Sequence, residues 1–223
     1  MPDLASYSLD DVLLFSPDVY FRLFELHNSA LWPLQGPVFV VCLLVLLLLA
    51  RATPNGMRAS LAVFGAFWLW IAWSFFAQRY NTINWLAAYV MPLAALQGVA
   101  LIGSALVWRN PLDAKVLTAA QRFGLGLYVL VLLGYPLLGL GFGRPWQGAE
   151  LVGIAPDPSA VATLAILVMA RGRWKGLLMV IPIGWCIATG LTLYALNAVE
   201  FMVAPLAVVL CVGASLVERW RMA

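Results

Sequence analysis

Long uninterrupted apolar runs are the feature of this sequence that most limits its fold. Residues 38–50, for example, contain no charged side chain and do not alternate apolar with polar residues. A bilayer core about 30 Å thick is crossed by about 20 apolar residues in an α-helix, whereas the strands of membrane barrels alternate in character. Hydrophobic residues make up 64% of the 223 residues and charged residues only 10%, against roughly 45–50% and 25% in soluble domains. The sequence therefore predicts an all-α, polytopic transmembrane helix bundle.

The apolar runs divide into seven predicted spans. The last two must be separated by a turn, which we place at Asn197–Glu200, because one helix over both runs would be about twice as long as the membrane is thick. The predicted spans cover residues 31–50, 60–76, 85–108, 123–142, 158–170, 177–195 and 201–217.

Lysine and arginine fall mainly in alternate loops between these spans. Only Arg22, Arg79 and Arg144 lie in one set of loops, and the other ten of the 13 basic residues lie in the second set. Since cytoplasmic loops carry the excess of basic residues, we expect the amino terminus outside and the carboxyl terminus in the cytoplasm. The basic residues are scattered, so the predicted partner is the lipid bilayer and not a nucleic acid. The ten are Arg51, Arg58, Arg109, Lys115, Arg122, Arg171, Arg173, Lys175, Arg219 and Arg221.

Residues 1–30 are predicted to form an amphipathic interfacial segment, ahead of a seven-helix transmembrane domain over residues 31–223. Ser16, Pro17 and Asp18 predict the start of a helix, because serine is a favoured cap, proline fits the first turn and an acid stabilises the positive helix end. We expect this helix to lie on the outer membrane surface rather than to cross it.

The fifth predicted span has a proline-rich approach. Pro156 and Pro158 exclude a continuous helix through Asp157, and the apolar run that follows is short for a full crossing. We expect a broken approach below the headgroup level, with Asp157 capping the fifth helix. Irregular backbone at that depth requires surrounding protein or a water-filled cavity.

Five distinctive runs are spread over nearly the whole chain: Tyr7-Ser-Leu-Asp-Asp-Val-Leu-Leu-Phe-Ser-Pro-Asp-Val-Tyr-Phe-Arg-Leu-Phe-Glu-Leu-His-Asn28, Leu31-Trp-Pro-Leu-Gln35, Arg79-Tyr-Asn-Thr-Ile-Asn-Trp85, Ala155-Pro-Asp-Pro-Ser-Ala-Val-Ala-Thr-Leu164 and Ile181-Pro-Ile-Gly-Trp185. Together they resemble a bacterial family of membrane proteins known only as a domain of unknown function. In much of that family the fifth-helix motif reads Pro-Cys-Pro-Thr, whereas this chain has Asp157 in place of the cysteine, so no thiol-dependent role is expected there. The resemblance implies a multi-pass protein of the bacterial cytoplasmic (inner) membrane and implies no activity.

The ionisable residues exclude several classes of membrane protein. A retinal protein needs a lysine deep in a span, but the only lysines, Lys115 and Lys175, lie in predicted loops. A haem held by two histidines or a zinc hydrolase with several is excluded because His27 is the only histidine. The sequence has no catalytic or phosphate-binding motif, so we predict neither an enzyme nor a cofactor or metal site.

A group of polar residues is predicted to gather at the outer surface. One interpretation is structural, with Arg22 and Arg79 pairing with carboxylates and holding the surface helix on the bundle. The other is a ligand-binding site with Glu25, Arg79 and Asp157 as polar anchors and His27 as a pH-sensitive member. The group comprises Arg22, Glu25, His27, Asn28, Arg79, Asn84, Asp157 and Glu200.

Two functions follow from these interpretations, and an enzyme ranks third because its nucleophile, base and metal ligands would all have to come from this sparse outer group. The first is a small-molecule or ion binding or transport module with a site open to the outer face, because discontinuous helices build the sites of many transporters. The alternative is a non-catalytic subunit or assembly partner of a larger membrane complex. Its partner would then be another membrane protein or a second copy of this chain.

Overall fold

The regular structure of the chain is helical throughout the part described by the computed structural model, which comprises residues 15–109, 111–112, 116–172 and 174–222. The amino-terminal part of the predicted amphipathic segment, residues 1–14, lies outside this description. The α-helices in order are α1 (Pro17–Leu31), α2 (Gln35–Ala50), α3 (Pro54–Ile71), α4 (Ala87–Val107), α5 (Ala119–Gly141), α6 (Pro156–Met169), α7 (Lys175–Ala195) and α8 (Val203–Met222).

Each of the seven predicted spans overlaps one helix, α2 to α8, and the expectation of an all-helical bundle is confirmed. The start predicted for α1 is also confirmed, since the Ser16 hydroxyl accepts a hydrogen bond from the backbone N–H of Val19 at 3.4 Å. The chain turns between α7 and α8 where predicted, with Asn197 in a left-handed conformation at φ 56°. Helix α3 continues as a π-helical turn, Ala72–Ala77.

Within the described part of the chain, five helical segments are long and apolar enough to cross a membrane. They are Pro54–Thr82, Ala87–Val107, Ala119–Gly141, Lys175–Ala195 and Val199–Glu218. Helices α2 and α6 are shorter, with 16 and 14 residues, or about 24 and 21 Å at 1.5 Å per residue. Helices α1 and α2 taken together are also long and apolar enough to cross a membrane, but the chain bends by 94° between them.

The outward surfaces of the bundle are apolar. Leu106, Leu130 and Val209 are each at least 65% exposed, and many other leucines and valines of the long helices also point outward. Soluble monomers rarely expose continuous apolar patches above a few hundred Å². This surface is the kind that a lipid environment accommodates.

Helix α6 lies at the centre of the bundle. All 14 of its residues are buried, and it packs against α3, α5, α7 and α8. A hydrogen bond of 2.9 Å from the Trp68 indole to the Thr163 hydroxyl joins α3 to α6. Close approach of α5 is possible because Gly124 has no side chain: a Cβ there would lie 2.6 Å from the carbonyl oxygen of Ala165.

The approach to α6 is irregular, as its prolines predict, but Asp157 does not cap the helix. Residues 152–154 form a turn in which Gly153 has φ +83°. The cap residue is Ala155, and no side chain bonds to the first turn there. The predicted helix break at Asp157 and its capping role were both wrong: Pro156 is already the first helical residue and the helix continues through Asp157 and Pro158. The Asp157 side chain is therefore inside the helix and directed at α7.

Contacts between helix ends and loops distinguish two ends of the bundle. At one end, which we call the basic end, Arg58 donates to the carbonyl of Ala105 at 2.6 Å and Lys175 pairs with Glu218 at 3.3 Å. At the other, the acidic end, Arg144 pairs with Glu200 at 2.6 Å. The basic end carries Arg51, Arg58, Arg122, Arg171 and Lys175, and the acidic end carries Glu25, Glu150, Asp157 and Glu200.

Candidate functional site

Helix α1 is held on the acidic end of the bundle by packing and by one amide. Tyr20, Leu23, Phe24 and His27 are buried. The Asn28 side-chain amide donates to two backbone carbonyls in the loop after α5, those of Gln147 at 2.7 Å and Ala149 at 2.8 Å. One donor group thus satisfies two carbonyls and fixes the loop against α1.

A cavity of about 630 Å³ opens at the corner between α1 and α2. The Gln35 amide stabilises this corner by donating to the carbonyl of Asn28 at 2.7 Å. Helix α5 and the turn Trp146–Gly148 close the opposite side. The cavity is lined by Asn28, Ser29, Trp32, Gln35, Gly36, Phe39, Leu132, Leu133, Pro136, Leu137, Trp146, Gln147, Ala149 and Leu151.

The lining is that of a binding pocket for an uncharged ligand. Small-molecule sites have volumes of about 300–1,000 Å³, mostly apolar walls and a few polar groups. None of the described residues that line this pocket is charged. The side-chain oxygen of Gln35 is buried and has no hydrogen-bond partner within the described residues. That oxygen is an acceptor, so it would bind a ligand that carries an O–H or N–H donor.

The predicted polar group is only partly brought together. Arg22 forms its ion pair with Glu25 one turn along α1, so this arginine does not attach α1 to the bundle as the structural interpretation supposed. Asn84 accepts from the backbone N–H of Leu86 at 3.0 Å and donates to the Tyr80 hydroxyl at 2.9 Å. These contacts are local.

Asp157 lies inside the bundle, with 2% of its surface exposed. Its Oδ1 atom accepts hydrogen bonds from the Trp185 indole at 2.6 Å and from the Thr189 hydroxyl at 2.8 Å. Both partners belong to α7, so the carboxylate joins the first turn of α6 to that helix. Local sequence patterns do not indicate these partners, which lie 28 and 32 residues further along the chain.

Arg144 and Glu150 are two members of the acidic end that sequence reasoning left out. Arg144 pairs with Glu200 and also stacks over the Phe21 ring at 4.1 Å. Burial raises the pKa of Glu150 well above its usual value, and the charges of Asp157 and Glu200 raise it further, while Arg144 lowers it. Both residues lie in a loop that the predicted topology already places at the acidic end, and this position could have identified them.

His27 is buried near the carboxyl-terminal end of α1. Its ring meets the Phe75 ring edge-on with 5.3 Å between centroids, and it hydrogen-bonds the backbone of Ile154. The second ring nitrogen, Nε2, is buried without a partner among the described residues. The pKa of His27 is lowered to about 4, mainly by burial; the Ile154 hydrogen bond opposes this decrease, and the nearby charge of Arg79 adds to it.

The sequence matches a family of unknown function, DUF6064, over residues 17–222. The chain belongs to DUF6064. Its motifs therefore resembled a domain-of-unknown-function family for good reason. A search of the curated proteins found no match, and a search of the solved structures found none either. DUF6064 is defined without an activity, so the geometry of this chain is the guide to its function.

Metal ligation has no geometric support within the described part of this DUF6064 chain, where no three His, Cys, Asp or Glu side chains are placed to hold an ion. The buried side-chain atoms without a hydrogen-bond partner among the described residues belong to His27, Gln35, Ser74, Arg144, Glu150 and Ser215. Of these, Gln35 stands out because it is the one amide in an otherwise apolar helix. Its position at the start of α2 is the sequence signal that could have located the pocket.

Lowering the pH should destabilise this DUF6064 protein through His27. The folded state keeps the imidazole neutral, with a pKa of about 4 against the usual 6.5. The neutral imidazole therefore makes its full contribution to the free energy of unfolding above pH 6.5. This contribution is lost as the pH falls from 6.5 toward 4, by up to about 3 kcal/mol. The measurement is the stability difference between wild type and His27→Gln in detergent, at pH 7.5 and at pH 4.5. A difference that does not change with pH would contradict this assignment.

Proposed function

We propose that this protein crosses the bacterial inner membrane seven times, with its amino terminus outside, and binds a neutral amphiphilic small molecule in the pocket between α1, α2 and α5. The observation that carries the proposal is the pocket itself, with uncharged walls and one buried, unpartnered amide oxygen on Gln35. A binding module of this kind is the role best supported, and transport of the ligand is the extension of it that we also propose.

The contacts between helix ends and loops support the seven crossings. A helix that crosses a membrane delivers its two ends to opposite sides, so consecutive loops alternate between the two surfaces. Contacts between helix ends at the basic end join α3 to α4 and α7 to α8. Contacts at the acidic end join α1 and the start of α8 to the loop after α5. This alternation, combined with the excess of arginine and lysine at the basic end, favours the basic end as the cytoplasmic side.

The two short helices fit this arrangement in different ways. Helix α6 is surrounded by protein, so its ends and the irregular backbone before it are not exposed to lipid. Helix α2 follows the 94° corner, which places α1 across the direction of α2. An α1 that lies along the membrane surface, with its aromatic side chains packed on the bundle, is consistent with both facts.

A neutral amphiphile fits the pocket for two reasons. Burial of a charged headgroup without a counter-charge would be unfavourable, and the pocket lining contains no charged residue. The exposed rings of Trp32 and Trp146, which are 77% and 56% exposed, flank the opening, and such rings favour the membrane interface. The ligand would place its hydroxyl or amide at Gln35 and its apolar part along Leu133 and Leu137.

Filling the pocket should abolish saturable ligand binding. Gly36 lines the pocket, and a Cβ there would have no atom within 4 Å, so Gly36→Leu projects into the empty space without a clash. We expect binding at least tenfold weaker, since displacing two CH₂ groups of ligand removes about 1.6 kcal/mol of apolar burial. The probe is a brominated monoacylglycerol, which quenches the fluorescence of the nearby tryptophans, with the unbrominated lipid as competitor.

The matched control is Gly103→Leu. Gly103 also has open space around its Cβ position, but it lies in α4 and lines none of the pockets described. We expect this variant to bind the probe like wild type. Equal quenching curves for the two variants would exclude the pocket as the binding site.

A further inference from the structure

A second cavity, of about 670 Å³, lies at the basic end between the start of α7 and the end of α8. Its mouth is polar and its floor is apolar, formed by Met179, Ile183 and Val212. This lining differs from that of the first pocket because it contains charged side chains. The full lining comprises Ala170, Arg171, Gly172, Lys175, Gly176, Met179, Ile183, Val212, Ser215, Leu216 and Glu218.

Lys175 is held in place at the mouth of this cavity. Its ammonium group lies 3.3 Å from one carboxylate oxygen of Glu218, and the other oxygen accepts from the Thr118 hydroxyl at 3.1 Å. The side chains of Lys175 and Glu218 are only 19% and 6% exposed. An ammonium group has three donors, so the ion pair leaves Lys175 with donors for a further acceptor.

One further group in the cavity wall can donate to an anion. The hydroxyl of Ser215 is buried and has no hydrogen-bond partner within the described residues. Lys175 and Gly176 form the first turn of α7, which has no side-chain cap, and a Cβ at Gly176 would meet nothing within 4 Å. The backbone N–H groups of Lys175, Leu177 and Leu178 already donate to the carbonyls of Gly172 and Trp174, so the start of this helix adds little to the site.

We propose that this cavity binds an anionic phosphate group, with Lys175 and Ser215 donating to the phosphate oxygens. Arg171, at the rim, adds a second positive charge. The apolar floor is suited to an acyl chain, so an anionic phospholipid is the larger molecule that fits the whole cavity. Free phosphate would fill only the polar mouth. Glu218 acts as the positioning residue for Lys175, and its negative charge weakens the site.

The first experiment compares lipids on the wild-type protein in detergent. Dioleoylphosphatidylglycerol and dioleoylphosphatidylcholine are titrated separately, and bound lipid is counted by native mass spectrometry. The expected result is binding of the anionic lipid about tenfold tighter than the zwitterionic one, with the preference reduced at high salt. Equal affinities, together with no effect of inorganic phosphate, would overturn the proposal.

Two variants move the affinity in opposite directions. Ser215→Ala removes one donor to the charged oxygen and should weaken anionic-lipid binding on the order of tenfold. Glu218→Gln keeps an acceptor for Thr118 while removing the competing negative charge, so it should strengthen binding several-fold. A purely structural role for this cluster would change the melting temperature and leave the affinity for the anionic lipid as it was. An unchanged affinity for the anionic lipid in both variants would therefore exclude the site.

Matched controls separate these effects from general ones. Ser104→Ala removes a hydroxyl that donates to its own helix at the carbonyl of Ala100, and Asp18→Asn removes one negative charge from α1. Both should bind like wild type. Inorganic phosphate forms the last arm: thermal stabilisation of wild type but not of Ser215→Ala, without a lipid preference, would assign the same anion site to free phosphate instead of a headgroup.

Discussion

Gly124→Val is expected to lower the free energy of unfolding by about 3 kcal/mol or more, or to prevent folding. A Cβ at this position would lie 2.6 Å from the Ala165 carbonyl oxygen and 2.7 Å from the side chain of Met169. Overpacking a dense interior costs about 1–3 kcal/mol, and more where the neighbour is backbone that cannot move aside. Helices α5 and α6 would have to separate, and α6 has protein on every side.

Gly126→Val is the control for this prediction. Gly126 lies in the same helix, so its substitution changes helix propensity and χ1 freedom by the same amount. A Cβ at Gly126 would have no atom within 4 Å, and we expect a change below about 1 kcal/mol. The measurement is unfolding in mixed micelles at increasing SDS. Equal destabilisation by the two variants would show that the contact between α5 and α6 is not as close as described.

Asp157→Leu is expected to destabilise the protein by more than about 3 kcal/mol. The substitution removes the acceptor of two hydrogen bonds, from the Trp185 indole and the Thr189 hydroxyl. A buried donor left without a partner costs about 1–3 kcal/mol, and two donors are affected here. The side chains have similar size, so the loss of hydrogen bonds and not a cavity is the dominant effect.

Asp157→Asn provides the comparison, because the amide keeps one oxygen at the Oδ1 position. We expect it to retain most of the stability that Asp157→Leu loses, with unfolding again followed in SDS. The same variant tests the carboxylate as a ligand anchor. If probe binding persists in Asp157→Asn while the protein stays folded, the charge of Asp157 has no part in the ligand site, and its role is to join α6 to α7.

The helices could be predicted from the sequence because their causes are local. Apolar length, proline position and the cap at Ser16 act within a few residues of where they occur. The alternation of Arg and Lys between loops is likewise visible without knowledge of the contacts. The same local reasoning failed at Asp157, where a favoured cap residue stands one position too late, after a proline that has already begun the helix.

The candidate sites depend on contacts between segments that are far apart in the sequence. The spacing of apolar residues along the chain does not predict such contacts. The pocket exists because Asn28 reaches the loop at Gln147, 119 residues away, and because Gln35 bonds back to α1. The predicted polar group was drawn from charged residues, but the pocket lining is uncharged. Charge sorting assigns residues to a surface of the membrane, and it does not tell which of them share a cavity there.

The burial of α6 constrains how the chain assembles during synthesis. At 14 residues this helix is too short for its termini to reach both headgroup layers, so before α7 and α8 exist its terminal peptide groups would face hydrocarbon without hydrogen-bond partners. A ribosome-bound chain that ends after α6 should therefore leave that segment outside the lipid or sheltered by the insertion machinery. Stable integration of the central helix then waits for segments that are made after it.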